Sequence, residues 1–169
     1  MAQGLKSRYR VFTSSSDIAD RRRKTDVVIS ESIGFVVSST ARVLGLSLSR
    51  ALAPHSVAPA QWTILLHLWS DEGINQRELG RRIGIEEATV TRTVDRLVRY
   101  GLVERRISAD DKRQYELHLT GTGRDLKESL VPIVQSLNRQ ATSRLSDAEF
   151  VELIRLLRLV REGVDEGTV

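Results

Sequence analysis

A chain of 169 residues, 40% apolar but only 5% aromatic, is long enough for one domain with a real core. Cysteine is absent, which excludes disulfides, thiol redox sensing and thiolate metal sites. The net charge of +4 is unevenly spread: residues 1–25 carry +5 and 75–113 carry +3, whereas 26–74 and 114–169 carry −2 each. Positive charge on an arm and in the middle third fits a nucleic-acid partner, and equally a solvated basic tail. No apolar run approaches the ~18 residues that span a bilayer. The start, MAQGLKSRYRVFTSSS, has no apolar segment of the kind a secretion signal needs, so a cytoplasmic protein without a membrane partner is expected.

Residues 1–25, with Ser14-Ser15-Ser16 and Arg21-Arg22-Arg23-Lys24, read as a flexible basic arm. A long helix is predicted from about Asp26 to Ala53, stopped by Pro54. A second, Ala58 to Ser70, sets Trp62, Leu65, Leu66 and Trp69 at helical spacing on one apolar face. Asn75, with Glu78 three residues on, opens a short helix to Ile83, and Gly84 ends it. The next helix runs from Glu86 or Glu87 to about Tyr100. Val103–Arg106 and Gln114–Leu119 pair as a hairpin. Thr120 caps a long helix to about Arg144, expected to kink at Pro132, and Ser146 with Glu149 caps the last helix. The fold class is therefore mainly α with a small β-hairpin wing: a winged helix-turn-helix flanked by long helices.

Within EEATVTRTVDRLVRYGLV, Val90, Val94, Leu97 and Val98 fall on one narrow stripe at 100° per residue. The opposite side presents Ala88, Thr89, Arg92, Arg96 and Arg99. A methyl, a hydroxyl and three guanidinium groups suit a major groove: arginine can bond guanine O6 and N7, and a methyl can meet that of thymine. A plain solvated helix face has the same composition. Glu86 and Glu87 would repel phosphate, but acids in a first helical turn are stabilised by the helix dipole.

At the hairpin tip, RISADDKRQYELHLT sets Asp110 and Asp111 beside Lys112 and Arg113. A solvated turn, a metal loop and a nucleic-acid probe compete there. A calcium loop needs carboxylates at alternating positions, which an adjacent pair does not supply. His55, His67 and His118 sit on separate elements without ligand spacing. No phosphate loop, nucleophile elbow or nucleophile-and-base arrangement appears, so neither an enzyme, a metal nor a cofactor is expected.

Three segments, NQRELGRRIGIEEATVTRTVDRLVRYGLVERR, DKRQYELHLT and LTGTG, resemble the MarR family of bacterial transcriptional regulators. The family's wing pattern is met by Asp111, Arg113, Leu119 and Thr120, and Gly123 completes its Leu-Thr-x-x-Gly continuation. The resemblance implies a single domain over 26–169. Within it, 26–57 and 120–169 would be dimerisation helices and 58–119 the winged DNA-binding lobe. It further implies a cytoplasmic homodimer on double-stranded DNA with a pseudo-palindromic operator. Ala88, Thr89, Arg92, Arg96, Arg99, Lys112 and Arg113 would contact DNA, with Asp111 orienting Arg113 directly or through a wing backbone amide. Repression relieved by a small aromatic or phenolic effector is implied as well, with Phe35, Arg42, Trp62 and His67 as ligand-binding candidates. A winged-helix module that binds protein rather than DNA is the alternative.

Overall fold

The computed structural model describes residues 32–166; the basic arm and the start of the first helix as read from the sequence lie outside these residues. The chain divides into two compact units at Leu44–Gly45. The described part of the first is the opening of helix α1 (Ile33–Leu52), where Ile33, Phe35, Val36, Val37 and Val43 are exposed. Ser38 and Ser39 turn their hydroxyls back onto the carbonyls of Phe35 and Val36.

In the second unit, α1 closes on buried Leu52 and gives way to a 3-10 turn, Ala53–His55, containing Pro54. Helix α2 (Pro59–Leu68) begins on a proline, whose missing amide costs nothing at that position. The Ala58 amide ahead of it donates to Gln61 Oε1 at 2.8 Å. Its buried residues are Gln61, Trp62, Ile64, Leu65 and Leu68, whereas Leu66, expected on the apolar face, is 43% exposed. At 100° per residue the buried Ile64, Leu68, Gln61, Leu65 and Trp62 fall within an arc of about 160°, and Leu66 lies just beyond its Trp62 edge.

Strand β1 (Ile74–Asn75), helix α3 (Gln76–Ile83), helix α4 (Glu87–Arg99) and strands β2 (Val103–Ile107) and β3 (Tyr115–Leu119) follow. The strands form an antiparallel sheet in the order β1-β3-β2, with Val103 opposite Leu119 and Ile107 opposite Tyr115. The expected hairpin thus gains a third strand, Ile74 facing Leu117, which ties the start of α3 to the wing. Helix α5 (Gly121–Ala141) runs unbroken through Pro132 and ends three residues earlier than Arg144, in a turn. Helix α6 is Asp147–Glu166, with the expected reciprocal bonds between Ser146 and Glu149.

The junction of β3 and α5 shows why a glycine stands at 123. Thr120 donates its amide to Leu102 O and its hydroxyl to Gly101 O, and then caps α5 by accepting from Gly123 N at 3.0 Å. A Cβ on Gly123 would lie 2.0 Å from Leu102 O, so no side chain fits. Trp69 Nε1 donates to Gly123 O at 2.9 Å, pinning α2 to the same point.

The two C-terminal helices use their apolar sides differently. On α5, Leu130 is fully buried, and Leu126 and Ile133 pack against the core. On α6, Phe150, Leu153, Leu157 and Val160 are all exposed. Among the described residues, no helix is long and apolar enough to cross a membrane.

Candidate nucleic-acid interface

Helix α4 is held from below by Val90, Val94 and Leu97, none of which has any exposed surface. Its approach angle is set by the turn from α3. Asn75 Oδ1 accepts from Glu78 N at 2.8 Å to start α3, and Gly84 adopts φ 72° to end it. That left-handed conformation is strained for a side-chain-bearing residue. The outer side of α4 then presents Ala88, Arg92, Arg96 and Arg99 to solvent, with Thr89 half-buried. The Thr89 hydroxyl accepts from Arg92 Nη2 at 3.3 Å.

The arginines of the lobe fall into two groups. Arg81 and Arg82 share Glu78, and Arg82 also reaches Asp71. Arg105 pairs with Asp95, Arg106 with Glu104, and Arg124 with Glu72. The two guanidinium groups on Glu78 hold its carboxyl down at about 2. Burial works to raise Glu72, but Arg124, the Leu119 amide and His118 outweigh it and leave that carboxyl below its ordinary value. By contrast Arg92, Arg96, Arg99, Lys112 and Arg113 are exposed and, among the described residues, have no ion-pair partner. Arg77, on α3, is exposed and unpaired in the same way; the sequence reading did not single it out.

At the wing tip, Asp111 acts on backbone. Its Oδ1 accepts from Arg113 N and its Oδ2 from Gln114 Nε2, both at 2.9 Å. The Arg113 amide, and then the Gln114 side chain, hold the Asp111 carboxyl below its usual range. Gln114 Oε1 in turn accepts from Asn75 Nδ2, so the tip is tied to the start of α3. Among the described residues, the Asp111 carboxylate and the Arg113 guanidinium form no ion pair, and the carboxylate of Asp110 has no partner. Arg113 therefore leaves a fixed backbone with its guanidinium free.

A second polar group, also missed from the sequence, joins three elements. Arg105 Nε donates to Gln76 Oε1 at 3.0 Å and Arg105 Nη2 to Asp95 Oδ1 at 2.6 Å. Gln76 Nε2 completes it, donating to Thr91 Oγ1 at 3.0 Å. A signal was present: Arg105 alternates with Val103, which puts it on the core side of the strand, where an arginine needs a partner.

Of the four ligand-binding candidates, Phe35 and Arg42 are exposed on the first part of α1. Trp62 is 7% exposed and meets Trp69 edge-on at 5.5 Å. His67 is half-buried with Nδ1 2.9 Å from Thr63 O.

A capped short helix, a glycine turn, a second helix with a cationic outer side and a hairpin with a fixed tip define a winged helix-turn-helix. The family model that matches, over residues 57–115, is that of the MarR family. The chain is 36% identical over 93 residues to the HTH-type transcriptional regulator TtmR of Methylorubrum extorquens, covering 55% of this chain and 48% of that protein. It is 34% identical over 110 residues to a putative transcriptional regulatory protein for the hcr operon of Thauera aromatica, covering 63% of this chain and 64% of that one. The chain thus spans about half the length of the first of these relatives. Its structure is similar to that of a mutant MarR from E. coli complexed with operator DNA, at 28% identity and a TM-score of 0.73, covering 80% of this chain and 99% of that one. Residues 57–115 thus match the MarR family, and the fold is similar to that of a MarR regulator.

Proposed function

We propose that this protein is a homodimeric, sequence-specific DNA-binding transcriptional regulator. In this reading α4 enters the major groove and the wing tip the adjacent minor groove. The observation that carries it is the distribution of charge partners: among the described residues, the framework arginines are neutralised by carboxylates and Arg92, Arg96, Arg99, Lys112 and Arg113 are not. A bare guanidinium keeps its full attraction for phosphate and its donors for guanine O6 and N7. Arg113 leaves a tip stiffened by Asp111, so little backbone freedom is lost when it enters a narrow minor groove, where the negative potential is strongest. A protein-binding winged helix would have no use for this charge, and an acidic face would have favoured it.

The dimer follows from apolar surface. Phe150, Leu153, Leu157 and Val160 on α6, and separately Phe35, Val36 and Val43 on α1, are left exposed by the chain itself. So much apolar surface is unusual in a monomer. Two copies related by a two-fold axis would read a pseudo-palindromic operator with half-sites about one helical turn apart. Bound at a promoter, such a dimer represses by occlusion in the cytoplasm. A small aromatic acid that prefers the DNA-incompetent arrangement would release it.

Footprinting on the DNA flanking its own gene, with competitor present, tests the central reading. Two symmetric protected half-sites are expected, lost on adding an effective aromatic acid. Sedimentation of a Leu153→Asp, Leu157→Asp variant at low micromolar concentration should give the single-chain mass where the unaltered protein gives twice that. Absence of any protected site would favour the protein-interaction module.

A further inference from the structure

We propose that Arg105 and Gln76 are positioning residues for DNA reading, not DNA contacts, and that the relay Thr91–Gln76–Arg105–Asp95 sets the rotation of the recognition helix about its own axis. The inference rests on the DNA-binding reading above and deepens it.

The apolar stripe beneath α4 holds the helix down but does not orient it well. Hydrophobic burial is non-directional, and a stripe as narrow as Val90, Val94 and Leu97 tolerates some roll. Hydrogen bonds are directional. Thr91 and Asp95 lie four residues apart, one above the other on α4. The wing strand holds both: Asp95 directly through Arg105 Nη2 at 2.6 Å, and Thr91 through Gln76. Two restraints one turn apart fix a line along the helix, and so its rotation. The stakes are set by geometry. At a side-chain radius of about 6 Å, a roll of about 20° moves a side-chain end by about 2 Å. A bidentate arginine–guanine contact tolerates roughly 0.5 Å.

Three features mark Arg105 as part of this framework. It is on the core side of its strand, alternating with Val103, with its side chain 28% exposed. Its donors are taken by an amide and a carboxylate of two other elements. Its partner Asp95 puts a negative charge on the recognition helix, where simple electrostatics would disfavour one; orienting the helix gives that charge a role.

The experiment measures binding of the full chain to a duplex that the unaltered protein selects from a random pool, and to a scrambled duplex, over a salt series. Each titration is run well below the melting temperature of each variant. Arg105→Lys keeps the charge but not the fork, and Asp95→Ala removes a charge that repels phosphate. Both are expected to weaken the selected duplex roughly ten-fold and the scrambled one less than two-fold, with an unchanged salt slope. Thr91→Val should show the same pattern, and Thr91→Ser should restore binding. Loss through unfolding alone would scale both duplexes equally, and that result overturns the proposal. So would an Arg105→Lys variant that binds normally while Arg105→Ala lowers the salt slope by about one, the mark of a phosphate contact. Tighter binding by Asp95→Ala on both duplexes overturns it too. Failure of the unaltered protein to enrich any duplex would overturn the DNA-binding reading itself, and would appear at the selection step before any variant is made.

Discussion

Arg82, Arg105 and Arg124 each hold a carboxylate, on the α2–α3 turn side, in the wing strand and at the base of α5, whereas Arg92, Arg96 and Arg113 face solvent with none among the described residues. The same residue type does opposite work within one lobe. Exposed ion pairs add little stability each, so the first set matters through where it places backbone: Glu72 alone engages Arg124 and the Leu119 amide. In the proposed reading the second set gains its use from having no carboxylate, because a neutralised guanidinium has less attraction left for phosphate. The lobe then divides into a framework, where changes should alter folding or orientation, and a reading surface, where changes should alter binding alone.

The largest effect should come from the framework. Gly123→Ala pushes a methyl onto Leu102 O, a 2.0 Å approach that backbone must move to relieve. A loss of ~3 kcal/mol is expected, a fall in Tm of roughly 6–12 °C by calorimetry. An unchanged Tm would show that the α5 junction is looser than described. Arg92→Ala is the counterpart on the reading surface. It should cost ~1–3 kcal/mol on the selected duplex and relax preference at one base pair, with Tm essentially unmoved. Equal losses in Tm and affinity there would erase the division.

Asp111→Ala probes the boundary between the two sets. Removing a negative charge near phosphate favours tighter binding by electrostatics alone. Because Asp111 holds the Arg113 amide and Gln114, the expected result is the opposite sign, specific binding weaker by about 1 kcal/mol. A titration at fixed salt reads the sign. The smallest effect is a pH dependence. Glu78 titrates at about 2 in the folded protein against an ordinary 4.5, because Arg81 and Arg82 bond its charged form. Its depressed value means a contribution fully present above pH 4.5 and lost as pH falls toward 2. Glu78→Gln should flatten acid unfolding in that window. Identical acid profiles for the variant and the unaltered protein would remove Glu78 from the framework.

Periodicity made α4 legible because it has a real apolar stripe: Val90, Val94 and Leu97 are all buried where 100° spacing puts them. It misplaced Leu66, which lies one step beyond the edge of the arc that α2 buries. The third strand escaped notice because it is two residues long and Asn75 also serves as the α3 cap. The bare arginines of α4 could be placed on the outer side from spacing, but not shown to lack partners. Pairing links residues far apart in the chain, such as Glu72 with Arg124 and Gln76 with Arg105, and no local pattern encodes it. The family resemblance offers Asp111 two possible partners, and the backbone amide of Arg113 is the one it holds.

On the proposed reading, the cations without a carboxylate partner read sequence and do more than attract polyanions. The most direct test is a competition titration of the full chain between its selected duplex and a scrambled duplex of equal length, at two salt concentrations. A preference of at least ~10³-fold is expected, persisting as salt is raised while both absolute affinities fall. Equal affinity for the two duplexes at both salts would contradict it, leaving a basic winged helix that binds DNA by charge alone.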